Sequence, residues 1–258
     1  MLKINVMLFG ALSLFFSMLT SAEGNITPLT PQTIEYQVMY GDIDLGKARF
    51  QLEKSDQQYQ YIFDSALSLL VLTDIRHVVS EFTVKDGQVN PTRFFHKREG
   101  FGPDYQEQIV FLPEQGSIIS RYKDKKKKFE FANDIWDVLS VQMQLRLDAQ
   151  KQKKSFKYDL IRSNKEDDVE LAVMGTEILK IGSLSFDALK VEVVRDPKKR
   201  KKRQTYVWVA PKYGYLPIKV QHMKKGSNQF QLYLKSAEFL GESPVVTFPT
   251  PKPKTEKS

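Results

Sequence analysis

From Thr33 to Phe239 apolar side chains recur at alternate positions of this chain, a period of two that suits strands and not helices. In TIEYQVMYGDIDLGKARFQLEKS, Ile34, Tyr36, Val38 and Tyr40 alternate with polar or smaller residues, and Leu45, Ala48, Phe50 and Leu52 follow Gly41-Asp42. This stretch reads as a first β-hairpin, because Gly and Asp tolerate the backbone angles of a tight turn. Gln58 to Leu70, His77 to Val84, Asn90 to Glu99 and Gln106 to Leu112 continue in the same manner, with turn signals at Asp86-Gly87 and Gly100 to Pro103. Further segments follow at Lys154 to Arg162, Asp168 to Leu179, Phe186 to Asp196, Gln204 to Pro211, Leu216 to Lys224 and Gln229 to Phe239. Such lengths with short connections suit a meander of antiparallel strands, curved enough to bury one face.

One segment breaks the rhythm. Asn133 to Gln152 lacks strand periodicity, and Asp134, three residues ahead of Asp137, offers an N-terminal cap arrangement. At 100° per residue Ile135, Trp136, Leu139, Met143 and Leu147 share a face that Val138 and Leu145 extend. Gln142 and Arg146 fall inside that apolar arc, so Arg146 is expected to be buried and to need a carboxylate or carbonyl partner. The predicted fold class is therefore mainly β: a large curved antiparallel sheet or open β-barrel with one main α-helix packed against it.

The ends of the chain predict a compartment. Lys3, an apolar run from Val6 to Leu19 and small residues at Thr20-Ser21-Ala22 have the form of a secretory signal peptide, cleaved after Ala22. The run is short for a bilayer span, which needs about 20 apolar residues, so no transmembrane segment is expected after cleavage. The chain has no cysteine, hence no disulfide framework and no residue for an N-terminal lipid anchor. The expected organisation is a signal peptide at 1–22, an extended lead-in at 23–32, a single β-rich domain at 33–240 and a disordered Pro- and Lys-rich tail at 241–258. With 41% hydrophobic and 27% charged residues the composition is that of an ordinary globular protein. The net charge of +8 is more distinctive. In an exported, periplasmic protein it points away from nucleic acid and toward lipid headgroups, lipopolysaccharide or an acidic envelope protein.

Catalytic chemistry has little support. His77, His96 and His222 are the three histidines and lie far apart in sequence. His77 with Glu81 is the nearest approach to a metal-ligand pair, about 13 Å apart along a strand. There is no G-x-S-x-G and no cysteine nucleophile, so no catalytic residue, metal ligand or cofactor is assigned. An envelope-polymer hydrolase assembled from Asp, Glu and His remains the rival from the enzyme class.

Two basic runs stand out: KDKKKK, with Lys123, Lys125, Lys126, Lys127 and Lys128, and KKRKKR, with Lys198, Lys199, Arg200, Lys201, Lys202 and Arg203. Both are expected at the tips of hairpins. The plainer reading is solvated tips that discourage edge-to-edge association; the functional one is contact with an anionic surface. Aromatic residues make up 12% of the chain, and Tyr206, Trp208, Phe230 and Tyr233 are candidates for lining a cavity for a hydrophobic ligand such as an acyl chain. The plainer reading here is core. Asp134, Asp137, Arg146 and Pro217 are read as structural.

Three phrases, YQVMYGDIDLGKARF, DIWDVLSVQMQLR and TYVWVAP with YGYLPIKVQ, occur in an order that resembles the exported bacterial family named domain of unknown function 3108 (DUF3108). The residues that carry the likeness are Asp137, Val138, Leu139, Ser140, Leu145 and Arg146 around the helix, then Trp208, Leu216, Pro217, Ile218 and Lys219. It extends from about Tyr36 to Phe239. The family has no assigned activity, so the resemblance implies no catalytic residue. A curved sheet around a helix is also similar to the lipoprotein-carrier folds of the envelope, whose half-barrels hold acyl chains; that is an analogy of fold alone. The leading expectation is a periplasmic binding or scaffold protein of the cell envelope that holds a hydrophobic ligand, a lipid or acyl chain, in a curved-sheet cavity; a separate alternative is an interaction protein without a pocket that docks on anionic partners through its basic hairpin tips.

Overall fold

In the computed structural model, which describes residues 26–182, 184–194, 203–240 and 246–247, the alternating segments form strands. In chain order these are β1 (Gln32–Tyr40), β2 (Ile43–Ser55), β3 (Gln58–Leu69), β4 (Leu72–Lys85), β5 (Gln88–Gly100), β6 (Tyr105–Leu112), β7 (Ser117–Tyr122), β8 (Lys125–Glu130) and β9 (Ile135–Trp136). After helix α1 (Ser140–Ala149) come β10 (Ser155–Arg162), β11 (Lys165–Ile181), β12 (Leu184–Val194), β13 (Arg203–Ala210), β14 (Leu216–Lys224), β15 (Ser227–Phe239) and β16 (Val246–Thr247). The architecture is the expected one, mainly β with one α-helix among the described residues.

Neighbours in sequence are neighbours in the sheet. From β8 down to β1 each strand pairs with its predecessor; β1 then pairs with β15, and the order runs back to β10 and β9. Every pair is antiparallel except β9 with β10. The curved sheet buries its apolar side chains in two adjoining clusters. One gathers Tyr61, Phe82, Phe94, Ile109, Phe129, Trp136, Met143 and Phe156, the other Ile34, Tyr36, Phe186, Trp208, Ile218 and Phe239; Phe50 and Phe63 pack against both. Polar pairs such as half-buried Glu35 with exposed Lys47 lie on the strand positions that alternate with the buried ones. The two ends of the sheet meet through side chains: Asn164 Nδ2 donates to Lys125 O at 2.8 Å, and the Ser163 N–H donates to Glu107.

The helix is shorter than expected. Ile135-Trp136 is a two-residue strand beside Asp159-Leu160, and Asp137, not Asp134, begins the helical turn. Asp137 Oδ1 accepts the N–H groups of Leu139 at 2.8 Å and Ser140 at 2.9 Å, while Ser140 Oγ accepts the Asp137 N–H at 3.0 Å. This reciprocal cap satisfies helix-end donors that otherwise have no partner. Asp134 is exposed and caps nothing, because the two residues between it and the cap, Ile135 and Trp136, are taken up as strand and Trp136 enters the core. A hydroxyl from β4, that of Ser80, donates to Asp137 Oδ2 at 2.7 Å and fixes the helix start to the sheet. Burial pushes the Asp137 carboxyl above the usual carboxylate range in spite of the hydrogen bonds from Ser140, Ser80 and Leu139.

The helix also completes a strand edge. β6 pairs with β5 no further back than Arg93, so the start of β5 lacks a neighbour on that side. Val89 there has its N–H taken by Gln144 Oε1 at 2.7 Å and its C=O by Trp136 Nε1 at 2.9 Å. Two further segments depart from expectation. Ile26 and Leu29 of the lead-in pack against the clusters, and Val246-Thr247, within the predicted tail, pairs with Ser236-Ala237 of β15. β14 leaves that part of β15 unpaired, and two β-prone residues cover it. The predicted signal peptide at 1–22 and the remainder of the tail lie outside the described residues.

Arg146 is buried as expected, with 2% of its surface exposed, and of the two expected kinds of partner, carboxylate or carbonyl, it has the carbonyl. Nε donates to Gly214 O at 3.0 Å and Nη2 to Gln32 Oε1 at 3.4 Å, so the guanidinium ties α1 to β1 and to the β13–β14 connection. Gly214 has φ +60 and a Cβ there would lie 2.5 Å from the Thr27 backbone, so only glycine fits. Pro217 serves through its carbonyl, which accepts the Tyr36 hydroxyl at 2.7 Å. Since Arg146 combines buried volume with a desolvated charge, Arg146→Ala should lower unfolding free energy by about 2–5 kcal/mol. Arg146→Met should cost clearly less, because it keeps the volume and removes the charge; equal losses in denaturant titrations would contradict this account of the site.

Candidate functional site

Up-and-down connectivity places alternate turns at the same end of the sheet. The Tyr40 end of β1 lies beside Phe230 at the start of β15, and on the same rim lie the turns β1–β2, β3–β4, β7–β8, β10–β11 and β14–β15, the β5–β6 loop, and the start of β13 at Arg203. The other rim holds α1 and the turns it touches, through Gln144 to Gly87 and Arg146 to Gly214. Rim composition differs accordingly.

On the first rim, basic residues flank an apolar arc. On one side Arg203 of β13 lies opposite Lys224 of β14, and Lys225 follows in the turn. On the other side Lys123 occupies the β7–β8 turn. The rest of the first basic run is not a tip: Lys125, Lys126, Lys127 and Lys128 are exposed residues of β8, an outer strand of the sheet. Their backbones continue the pairing with β7, and Lys127 Nζ sits 4.5 Å from the centre of the Phe129 ring. Lys198, Lys199, Arg200, Lys201 and Lys202 lie outside the described residues, between β12 and β13.

Between these basic flanks runs a series of exposed apolar side chains on neighbouring strands: Phe230, Tyr40, Ile43, Leu69 to Leu72, Ile75 and Phe101. Leu70 and Val71, the two residues of the β3–β4 turn, are 94% and 92% exposed. The Phe101 loop is held against this hairpin. The Phe101 N–H donates to Thr73 O at 2.6 Å, and Gly100 is required because a Cβ would lie 2.1 Å from that same oxygen. Arg98 secures the loop further through Pro103 O at 2.9 Å, Phe101 O at 2.5 Å and Asp74 Oδ2. Asp74 also accepts from Arg76 at 2.7 Å; burial works to raise its carboxyl, but the hydrogen bonds from Arg76 and Arg98 hold it below the usual carboxylate value. Asp42 and Asp124 lie in the rim turns as well, and Glu99 pairs with Lys97.

The four aromatic candidates divide. Lys190, Trp208, Lys219 and Tyr233 form one cross-strand row over β12 to β15. The Lys190 and Lys219 ammonium groups lie 5.0 and 4.7 Å from the Trp208 ring, Lys190 also lies over Tyr206, and Trp208 Nε1 donates to Glu177 Oε1 at 2.5 Å. Burial lowers the pKa of the Lys219 ammonium. Trp208 is 3% exposed and belongs to the core, whereas Phe230 stands apart on the rim, edge to face with Tyr40 at 5.2 Å. Two surface grooves, one by Gln32, Leu52 and Leu240 and one by Ile135, Leu160 and Asp167, are lined by none of the four. Among the described residues no three His, Asp or Glu side chains converge as metal ligands would. His77 pairs with Asp64, across the hairpin, and not with Glu81. The apolar rim escaped sequence reasoning because Leu69 to Leu72 reads as the end of one strand and the approach to the next; its signal was a hairpin turn without Gly, Asn or Asp.

The arrangement defines a β-barrel-like protein: an open, strongly curved sheet with a filled interior. The chain belongs to the family described as protein of unknown function DUF3108, which it matches over residues 35–235. Its fold is similar to that of the β-barrel-like protein of domain of unknown function DUF1849 from Brucella abortus, with TM-score 0.58 and 10% identity, covering 83% of this chain and 99% of that one. No curated protein matches the sequence.

Just behind the rim, burial and then the Arg76 charge push His96 down to about 4, with Asp74 acting in the opposite sense and Arg98 in the same one; Tyr105 lies 3.4 Å from its Nε2. An unfolded His titrates near about 6.5, so below that value the unfolded chain binds a proton that the folded chain refuses. Stability should therefore be full above about pH 6.5 and fall as pH drops toward 4. Asp74 loses its contribution only below its ordinary value of 3.8. Urea midpoints of wild type and His96→Gln between pH 7 and 4.5 should converge on acidification; parallel curves would contradict the desolvated state of this ring.

Proposed function

We propose that the protein is an exported, non-catalytic binding protein of the cell envelope that docks on an anionic lipid surface through its first rim. The observation that carries this reading is the convergence of Lys123, Arg203, Lys224 and Lys225 on one end of the sheet, with the basic run at 198–202 connected in sequence to the same end. Each Lys or Arg close to an anionic membrane contributes about 1 kcal/mol, so several on one rim add to a useful affinity. The net charge of +8 acts in the same direction, and the signal-like segment at 1–22 supports delivery to the periplasm, where phospholipid and lipopolysaccharide present such surfaces. A rim is favoured over an acyl-chain cavity because the sheet interior is occupied by its own aromatic side chains.

Sedimentation with phosphatidylglycerol vesicles tests the proposal. Binding should be strong at low salt and weaken steeply as salt rises, since attraction is screened beyond about 8 Å at physiological ionic strength. Replacing Lys123, Lys224, Lys225 and the run from Lys198 to Arg203 by Ser and Gly should weaken low-salt binding sharply, remove its salt dependence and leave the melting temperature nearly unchanged. Absence of wild-type binding at low salt would overturn the proposal.

A further inference from the structure

We propose that the β3–β4 tip, with Leu70 and Val71 at its apex and Phe101 beside it, enters the hydrocarbon boundary of the bilayer on which the rim docks. This rests on the preceding reading of the rim and adds to it the element that penetrates. The two-residue turns of this sheet provide the argument. Gly41-Asp42, Asp56-Gln57, Asp86-Gly87, Lys123-Asp124, Ser163-Asn164 and Lys225-Gly226 are all small, polar or charged, as turns that need positive φ and face water ordinarily are. Among the described two-residue turns Leu70-Val71 alone is wholly apolar.

Leu70 sits at φ 57, where a side chain with a Cβ is disfavoured and Gly or Asn is the usual choice. Neither backbone preference nor solubility accounts for leucine there, and at 94% exposure neither does packing. Leu69, Leu72, Ile75 and Phe101 widen the tip, and the Arg98 and Thr73 hydrogen bonds hold Phe101 beside it in a preformed arrangement. A bilayer is the occupant these features suit. The tip extends past both neighbouring strands, since β2 pairs with β3 only as far as Leu67 and β5 with β4 only as far as Asp74, so a protein partner would have to supply a fitted groove; it also has cations on both sides of its arc, at Arg203, Lys224 and Lys225 and at Lys123. Apolar insertion with flanking positive charge is the mode by which peripheral proteins hold an anionic membrane.

The test uses the full chain and phosphatidylglycerol vesicles. Trp136 and Trp208 are both buried, so in Leu70→Trp the new indole should dominate any change, its emission shifting to the blue on vesicle addition and being quenched by lipids brominated along the acyl chain. Leu70→Ser with Val71→Ser should weaken binding more than about tenfold and remove the part that survives high salt, because burial of apolar surface is not screened. Unaltered binding by the double variant, or an indole that neither shifts nor is quenched while salt-sensitive binding persists, would overturn insertion and leave the surface reading standing. Loss of all wild-type binding at low salt would overturn both. Binding confined to vesicles that carry envelope proteins would replace the lipid by a protein partner.

Discussion

Nearly everything in this molecule depends on the hydrogen-bond ladder that joins each strand to the one before it. Because β1 through β8 and β10 through β15 each return antiparallel to their predecessor, alternate turns gather at one end, and residues distant in sequence come to share a rim. Lys123 and Arg203 are brought to the same rim by this parity and by no contact between them. The ladder also requires a long sheet to curl. Its free ends approach at the β10–β11 turn, where Asn164 and Ser163 reach Lys125 and Glu107.

The opposite rim is where the fold is locked. A helix laid across an open sheet has polar ends to satisfy and a strand edge to cover, and Asp137, Gln144, Trp136 and Arg146 divide that task among themselves. Polar groups at this depth are costly unless bonded, and accordingly Trp136 and Gln144 bond the backbone of Val89 in β5 and Arg146 that of Gly214 in the β13–β14 connection. One rim is therefore held rigidly by buried polar contacts, while the other is free to present side chains whose chemistry does not serve the core.

The strands were legible in the sequence because the period of two is a direct image of a sheet with one wet face. Gly41-Asp42 and Asp86-Gly87 announced their turns for the same reason: few residues tolerate those angles. The helix start is ambiguous in the sequence because Asp134 and Asp137 are equally good caps in isolation, and only the need to bury Trp136 and to meet Ser80 selects the second. Burial of Arg146 followed from its helical phase, whereas its neutral partners are set by long-range packing against Gly214 and Gln32. Of the proposed aromatic set, Tyr206 and Trp208 share a face of β13 by the period of two, Tyr233 joins their row through register that no local pattern encodes, and Phe230 stands apart. The exposed tip at Leu70-Val71 was hidden by its own hydrophobicity, which resembles the interior of a strand until the pairing Leu69 with Leu72 reveals a turn.

The central claim is that one particular end of the sheet faces an anionic bilayer. The chain contains no cysteine, so single cysteines can be introduced for spin labels without competing thiols. Labels at Asp42, Asp124 and Gly226 on the first rim, and at Gln57 and Glu114 on the other, can be compared on phosphatidylglycerol vesicles by power saturation with oxygen and with a water-soluble nickel complex. The account predicts that vesicle binding shields the first three from nickel and leaves the last two unchanged. Equal shielding at both rims, or shielding at Gln57 and Glu114 alone, would contradict it.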